Sequence, residues 1–303
     1  MVLPTRKTGA LKAHIGAVHC VSYSAGTSTY VLSGGADRKI HLWNPTSTAL
    51  IQTYSAHGYA VLSLSISHDN LTFASAGGDK LLFLWDVTAA TTIRRFEGHN
   101  ARINAVSFNA ESTVLASGSY DATVKLWDCK SSNRKPIQTL DEAKDSVMDV
   151  EIRGTDIITA CVDGRIRNYD MRMGRCVVDY VSTKGVTSVQ GTEDGAAVLV
   201  SALDGKVRLM DKRDGRMLQS FTGHVNKELR VRSCFAEREE FVVSGSEDGT
   251  VWCWDLVSGE MKAKLVGHGE GKGGKAVSCV DTRRSGGQMV TGGADGTVVV
   301  WGV

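Results

Sequence analysis

The sequence predicts an all-β fold in which seven repeats close on one another as one domain spanning residues 1–303. Three observations carry that prediction. Seven heptapeptides recur along the chain: DRKIHLW (37–43), DKLLFLW (79–85), DATVKLW (121–127), DGRIRNY (163–169), DGKVRLM (204–210), DGTVWCW (248–254) and DGTVVVW (295–301). Their aspartates stand 42, 42, 42, 41, 44 and 47 residues apart, a period that belongs to repeat architectures. Within the heptapeptides apolar residues alternate, as in Ile40/Leu42, Leu82/Leu84, Val124/Leu126, Val251/Cys253 and Val298/Val300. A period of two is strand and not helix. Finally, the 303 residues include 33 glycines and only 3 prolines. Tight turns use glycine, whereas linkers and tails usually carry proline and paired strands exclude it.

Taken in order, repeats one, two, three, six and seven carry the same four polar or aromatic positions. They are His14, Ser33, Asp37 and Trp43; His57, Ser75, Asp79 and Trp85; His99, Ser117, Asp121 and Trp127; His224, Ser244, Asp248 and Trp254; and His268, Thr291, Asp295 and Trp301. The expected arrangement is a buried chain in which Asp holds His, His holds the hydroxyl, and the hydroxyl meets the Trp N–H. Each link is worth about 1 kcal/mol, and a stranded buried partner costs about 1–3 kcal/mol. His, Ser and Asp are also the residue types of a serine-hydrolase triad. An enzyme needs one such site, and a fivefold set accompanied by Trp is structural. Asp-Gly precedes four of the strands and is a hairpin-turn signal. Repeat four has Ala143 at the His position and Tyr169 for Trp. Repeat five has no His in 181–185 and Met210 for Trp. These two should form the softer sector, through drift that packing tolerates or through adaptation to a partner. One such repeat cannot bury both of its faces, so neighbours must cover it and closure of the ring removes exposed edges.

The repeated His, Ser/Thr, Asp and Trp positions resemble the WD-repeat family over essentially the whole chain. The resemblance implies four-stranded antiparallel blades and a seven-bladed β-propeller. Blades one to six would span 14–56, 57–98, 99–142, 143–183, 184–223 and 224–267, and blade seven 268–303 plus 1–13. The third strand of blade seven ends at Trp301-Gly302-Val303. Thr8–Ala13 sits where the outer strand precedes His elsewhere (compare Thr91–Phe96), so residues near 6–13 should complete that blade. No residues remain for a separate catalytic domain, so an enzyme, a cofactor and a metal site are not expected.

Stretches outside the shared signature narrow the resemblance. Leu42-Trp43-Asn44-Pro45, Gln138-Thr139-Leu140-Asp141-Glu142-Ala143, Tyr169-Asp170-Met171-Arg172-Met173-Gly174 and Trp254-Asp255-Leu256-Val257 resemble the mitogen-activated protein kinase organizer family. It implies a non-enzymatic scaffold. The first expectation is a component of spliceosome and pre-mRNA splicing complexes, a monomeric propeller bound to spliceosomal factors in nucleus and cytoplasm. The alternative is a scaffold for a kinase cascade of the extracellular-signal-regulated type. Tyr169-Asp170-Met171-Arg172 also approximates the WDxR signature of substrate receptors for cullin ubiquitin ligases.

By family analogy the partner-binding positions lie on one rim of the channel. They are Arg102, Asn104, Tyr120, Met148, Val162, Leu203, Arg230, Arg232 and Glu247. Aromatic and Arg anchors beside apolar surface favour interaction hot spots. Two insertions, 226–232 and 269–275, are mildly basic. They are solvated loops or contacts for RNA or an acidic protein. Lys125, Arg167 and Arg208 recur at one strand position, either snorkelling past apolar neighbours or contacting nucleic acid. Trp252 stands there in blade six, in the core or on the rim.

Other classes fall away on composition. No run of 18 apolar residues offers a membrane helix, and the first residues contain no signal-like apolar core. Lys+Arg 35 against Asp+Glu 33 gives net +2 and no global attraction to nucleic acid or acidic membranes. Seven scattered cysteines without CxxC read as reduced thiols, not as a disulfide framework or a zinc site. The glycine-rich 271–275 lacks the GxxxxGK[ST] of a phosphate loop. Asn70-Leu71-Thr72 spells a glycosylation sequon that no export signal accompanies.

Overall fold

Among the described residues, alternation in the sequence becomes twenty-eight strands arranged as seven antiparallel sheets around a channel. The computed structural model describes residues 2–269 and 275–303, so the core of the second insertion, 270–274, lies outside the described residues. The chain opens with β1 (Arg6–Lys12). Blade one is β2 (Val18–Tyr23), β3 (Val31–Gly35), β4 (Lys39–Asn44) and β5 (Ala49–Ser55). Blade two is β6 (Val61–Ile66), β7 (Thr72–Gly77), β8 (Leu81–Asp86) and β9 (Thr92–Glu97). Blade three is β10 (Ile103–Phe108), β11 (Val114–Ser119), β12 (Val124–Asp128) and β13 (Gln138–Leu140). Blade four is β14 (Val147–Arg153), β15 (Asp156–Cys161), β16 (Arg165–Asp170) and β17 (Arg175–Tyr180). Blade five is β18 (Val186–Gly191), β19 (Ala197–Ala202), β20 (Lys206–Asp211) and β21 (Met217–Thr222). Blade six is β22 (Ser233–Ala236), β23 (Phe241–Ser244), β24 (Thr250–Asp255) and β25 (Met261–Val266). Blade seven is β26 (Val277–Thr282), β27 (Gln288–Gly293) and β28 (Thr297–Gly302), and its fourth strand is β1. In that last pairing Lys7 lies opposite Trp301 and Leu11 opposite Val298, which closes the ring as the sequence predicts.

The fold is therefore a seven-bladed all-β propeller. Its core is divided among the joints between blades. Each of the seven apolar clusters draws on two neighbours, as where Leu82, Leu84 and Phe96 of blade two meet Leu115 and Trp127 of blade three. Outer strands are mostly exposed but turn one large residue inward: Leu11, Tyr54, Phe96, Phe221 or Leu265. Phe96 reaches the next blade's Trp127 with ring centroids 5.5 Å apart. A fully buried Trp removes roughly 150–250 Å² from water, and truncating one costs about 3–5 kcal/mol.

The turns leading into the third strands need a left-handed residue. Gly164, Gly205, Gly249 and Gly296 supply it at φ of 80°, 72°, 88° and 79°. In blades one to three Arg38, Lys80 and Ala122 adopt the same conformation at 67°, 62° and 62°, against their steric preference.

Inner strands are bulged at one repeated place in six blades. The register slips between Val18 and Cys20, Val61 and Ser63, Ile103 and Ala105, Val147 and Asp149, Val186 and Ser188, and Val277 and Cys279. Blade six lacks the slip because β22 begins only at Ser233, and residues 225–232 run elsewhere. Side chains then lace neighbouring inner strands. Ser63 Oγ accepts Val106 N–H at 3.1 Å, Ser107 Oγ accepts Ile152 N–H at 3.2 Å, Glu151 Oε2 accepts Gly191 N–H at 2.6 Å, and Asp281 Oδ2 accepts Tyr23 N–H at 2.7 Å. The lacing satisfies inner-edge N–H groups that no strand pairs.

Candidate interaction rim

The rim is built where the connection into each inner strand meets the turn before the third strand. One backbone bond repeats there: Ala36 N–H to Ala17 O (2.8 Å), Gly78 to Ala60 (3.1 Å), Tyr120 to Arg102 (3.0 Å), Val162 to Ser146 (3.0 Å), Leu203 to Gly185 (2.9 Å) and Ala294 to Ala276 (2.8 Å). Beneath it lie the tetrads. His57 reaches Asp79 at 2.6 Å and Ser75 at 2.7 Å, and Trp85 Nε1 donates to the same Ser75 hydroxyl at 2.8 Å. The corresponding chains run through His14, Ser33, Asp37 and Trp43; through His99, Ser117, Asp121 and Trp127; and through His268, Thr291, Asp295 and Trp301. Burial alone would raise the Asp121 carboxyl. Hydrogen bonds from His99, Thr123 and the Asn100 N–H outweigh it and hold that carboxyl well below the usual range, and Asp295 follows the same logic. These hydroxyls are buried and committed to Trp N–H groups, so they present no nucleophile to a substrate.

Blade six departs from the sequence expectation. His224, Ser244, Asp248 and Trp254 are present but not joined. Both ring nitrogens of His224 are buried without a hydrogen-bond partner, Trp254 Nε1 donates to Thr222 O at 3.1 Å, and Ser244 Oγ donates to Gly245 O at 3.0 Å. The cause is the insertion. Ser246 Oγ takes the Val225 N–H at 3.0 Å, and Glu247 Oε1 takes the N–H groups of Lys227, Glu228 and Leu229 at 2.7, 2.7 and 2.8 Å. His224 is left against the Trp254 ring, with centroids 5.5 Å apart. Trp252 stacks on Trp254 and carries the Lys264 ammonium 4.7 Å above its ring, so it belongs to the blade's packing.

Blades four and five, expected to be soft, contain a substitute for the missing histidine. Arg167 Nη2 reaches Asp163 Oδ2 at 2.6 Å, and Arg208 Nη1 reaches Asp204 Oδ1 at 3.2 Å. Arg167 and Arg208 therefore belong to no nucleic-acid stripe, and only Lys125 of that set points to a strand neighbour, Thr139, at 3.0 Å. The signal was available: arginine stands four residues after the aspartate in the two repeats that lack histidine and in no other.

The nine proposed partner residues divide three ways. Arg102 and Tyr120 form an outward pair: Tyr120 is 57% exposed, and the Arg102 guanidinium sits 4.7 Å from its ring centroid. Val162 is exposed and Leu203 half-buried, both against Gly185, whereas the half-buried Met148 has its sulfur 3.8 Å from Asn104 Nδ2 and sits with that inward-turned residue. Asn104 is 3% exposed and cannot serve as a rim contact; its Nδ2 donates to Val147 O of the next blade at 2.8 Å. Thr187 and Ser278, at the same bulge, tie Val231 O and Val18 O in the same way.

Arg230 and Arg232 also face inward, while Glu247 is half-buried against the insertion's backbone. Arg230 spans the channel to Asn104 O (2.6 Å) and Asp149 Oδ1 (3.1 Å), and Arg232 Nη2 meets Asp149 Oδ1 at 2.7 Å. Burial lowers Arg230 to about 10. Burial would raise Glu247, but the three backbone bonds outweigh it and lower it. The first insertion thus turns Arg230 and Arg232 into the channel and has its backbone held by Glu247, while Lys227, Glu228 and Leu229 stay exposed. On its far side the channel widens to a cavity of about 420 Å³ with a mixed rim of Arg153, Glu193, Glu237, Arg238 and Arg284. Ile15 (82% exposed) and Tyr59 (65% exposed) extend the apolar arc into blades one and two. The sequence reading missed both, although each is a large apolar residue in the turn that follows a tetrad histidine.

Comparison with known proteins places this geometry. The WD domain, G-beta repeat family matches residues 5–44, 48–86, 90–128, 215–255 and 259–302. The chain is 49% identical over 263 residues to WD repeat domain-containing protein 83 of Rattus norvegicus, covering 87% of this chain and 83% of that protein. It is 49% identical over 268 residues to the protein of that name from Homo sapiens, covering 88% and 84%. The Xenopus tropicalis protein of that name is 52% identical over 263 residues, covering 87% and 83%.

Proposed function

This chain belongs to the WD domain, G-beta repeat family, and from that premise we propose that it is the platform on which components of a mitogen-activated protein kinase cascade are held together. WD-repeat propellers of this kind are non-catalytic interaction scaffolds, and the chain is one. The choice of kinase components rests on the resemblance of the non-signature stretches to the organizer family. Splicing factors, placed first on sequence alone, gain no support from the fold. Four of the arginines considered for direct RNA contact are committed internally: Arg167 to Asp163, Arg208 to Asp204, and Arg230 and Arg232 to Asp149. All seven cysteines are free thiols, which fits work in the reducing cytoplasm and nucleus.

The observation that carries the proposal is the Arg102–Tyr120 pair at the centre of an exposed apolar arc. A rigid aromatic with a stacked guanidinium supplies a large contact at small entropic cost. The test is a variant with Arg102→Glu and Tyr120→Ala, compared with wild type for capture of purified kinases of an extracellular-signal-regulated cascade. The expected outcome is at least tenfold weaker capture with an unchanged melting temperature. Equal capture overturns the assignment of this patch.

A further inference from the structure

One strand position carries a histidine in blade one and in no other blade. Four residues after the tetrad aspartate the repeats carry Phe83, Lys125, Arg167, Arg208, Trp252 or Val299, and blade one carries His41. Asp37 is therefore approached by two histidines. His14 Nδ1 lies 2.9 Å from Asp37 Oδ1 and 3.0 Å from Oδ2, and His41 Nε2 lies 3.9 Å from Oδ2. The three ligand atoms all fall within 4.8 Å of one another, the one such group among the described residues.

His41 is 3% exposed, and its Nε2 has no hydrogen-bond partner although it faces a carboxylate. Leaving such an atom bare is costly in a buried site. The opposite nitrogens are already fixed: His14 Nε2 meets Ser33 Oγ at 2.8 Å, and His41 Nδ1 meets Thr53 Oγ1 at 2.9 Å. Metal-ligating histidines are oriented in this way, with the second ring nitrogen donating to an outer oxygen. Tetrahedral zinc, with bonds of about 2.1 Å, separates its ligand atoms by about 3.4 Å. The separations from Asp37, 2.9 Å to His14 and 3.9 Å to His41, fall on either side of that value, and the two histidine nitrogens lie within 4.8 Å of each other.

We propose that His14, Asp37 and His41 form a zinc site that clasps the ring at its closure. His14 follows β1, the strand that completes blade seven, whereas Asp37 and His41 belong to blade one. The ion would fasten the end of the closing strand to the next blade. Zinc takes the place of the proton between His14 Nδ1 and Asp37: the neutral His14 ring binds as its Nε2–H tautomer, with Nε2–H donating to Ser33 Oγ, so no net proton is released from the ring. Water or the second Asp37 oxygen completes four-coordination. This inference stands independently of the kinase reading.

The test uses the full chain stripped with a chelator and titrated with zinc chloride by calorimetry and thermal melting. Wild type should bind one zinc tightly and melt higher with it. His41→Phe copies blade two, where Phe83 occupies the position in a folded blade, so the variant should fold and bind at least tenfold more weakly. Thr53→Val should weaken binding about 10–100-fold by freeing the His41 ring. Cobalt should give visible absorption in wild type and none in His41→Phe. Equal titration of wild type and His41→Phe overturns the site, since the metal would then sit on other groups such as the half-buried thiols of Cys129 and Cys176. Absence of any melting shift in wild type overturns it as well.

Discussion

At the residue scale, one motif has two opposite energetic signs in this chain. In blade three Asp121 accepts from His99, Thr123 and the Asn100 N–H. Asp121→Ala strands those donors and is expected to cost about 1–3 kcal/mol in urea unfolding, with the rim's binding surface retained. In blade six His224 contributes no hydrogen bond and remains buried. His224→Phe keeps the ring against Trp254 and removes two unsatisfied nitrogens, so it should raise stability by about 1–3 kcal/mol. Burial lowers His224 to about 4, with the carboxylates of Asp204 and Asp248 opposing it weakly. The unfolded chain therefore binds this proton first, and its contribution to stability is full above about 6.5 and falls as pH drops towards 4. Unfolding curves of His224→Phe should be flatter in that window. His41, also lowered to about 4 by burial, acts in the same direction, and Asp281, raised to about 6 by burial, acts against both. Equal pH slopes for the variant and wild type would mean that His224 has a partner after all.

At the scale of the element, the closing strand is the one whose loss should be felt everywhere. β1 places Leu11 in the core shared by blades seven and one and covers the outer edge of β28. Deleting residues 1–13 exposes that edge and should lower the melting temperature of the whole protein by well over 5 °C, read by a single cooperative transition in calorimetry. A truncated chain that melts like the full one would refute the closure. This strand was legible in the sequence because the repeat told where an outer strand was missing. The strands themselves were legible because period two is set locally. The state of blade six was not: Ser244 and Asp248 stand at the repeat's spacing, yet which acceptor a hydroxyl finds depends on where residues 225–232 travel. Nor was the inward turn of Asn104, which follows from a bulge that no single repeat announces.

At the scale of the molecule, rigidity and recognition occupy different layers. Inner strands are laced side chain to backbone around the channel, and tetrads in four blades stiffen the joints beneath the rim. The exposed arc of Ile15, Tyr59, Tyr120 and Val162 rides on that frame. The sequence located the rim by analogy and could not say which of its polar residues face out. Arg230, Arg232 and Glu247 are placed there by position in the repeat and the insertion, and charge ties the two arginines to Asp149 in the channel and Glu247 to backbone N–H groups of the insertion. Closure also sets a schedule. Thr8 and Val300 bond across 292 residues of sequence, so at roughly 5–20 residues per second β1 waits some 15–60 s of translation for its partner. During that wait it is an orphan strand on a nascent chain. Its composition suits the interval: Arg6, Lys7 and Lys12 keep it charged and poorly adhesive until the last blade emerges from the ribosome.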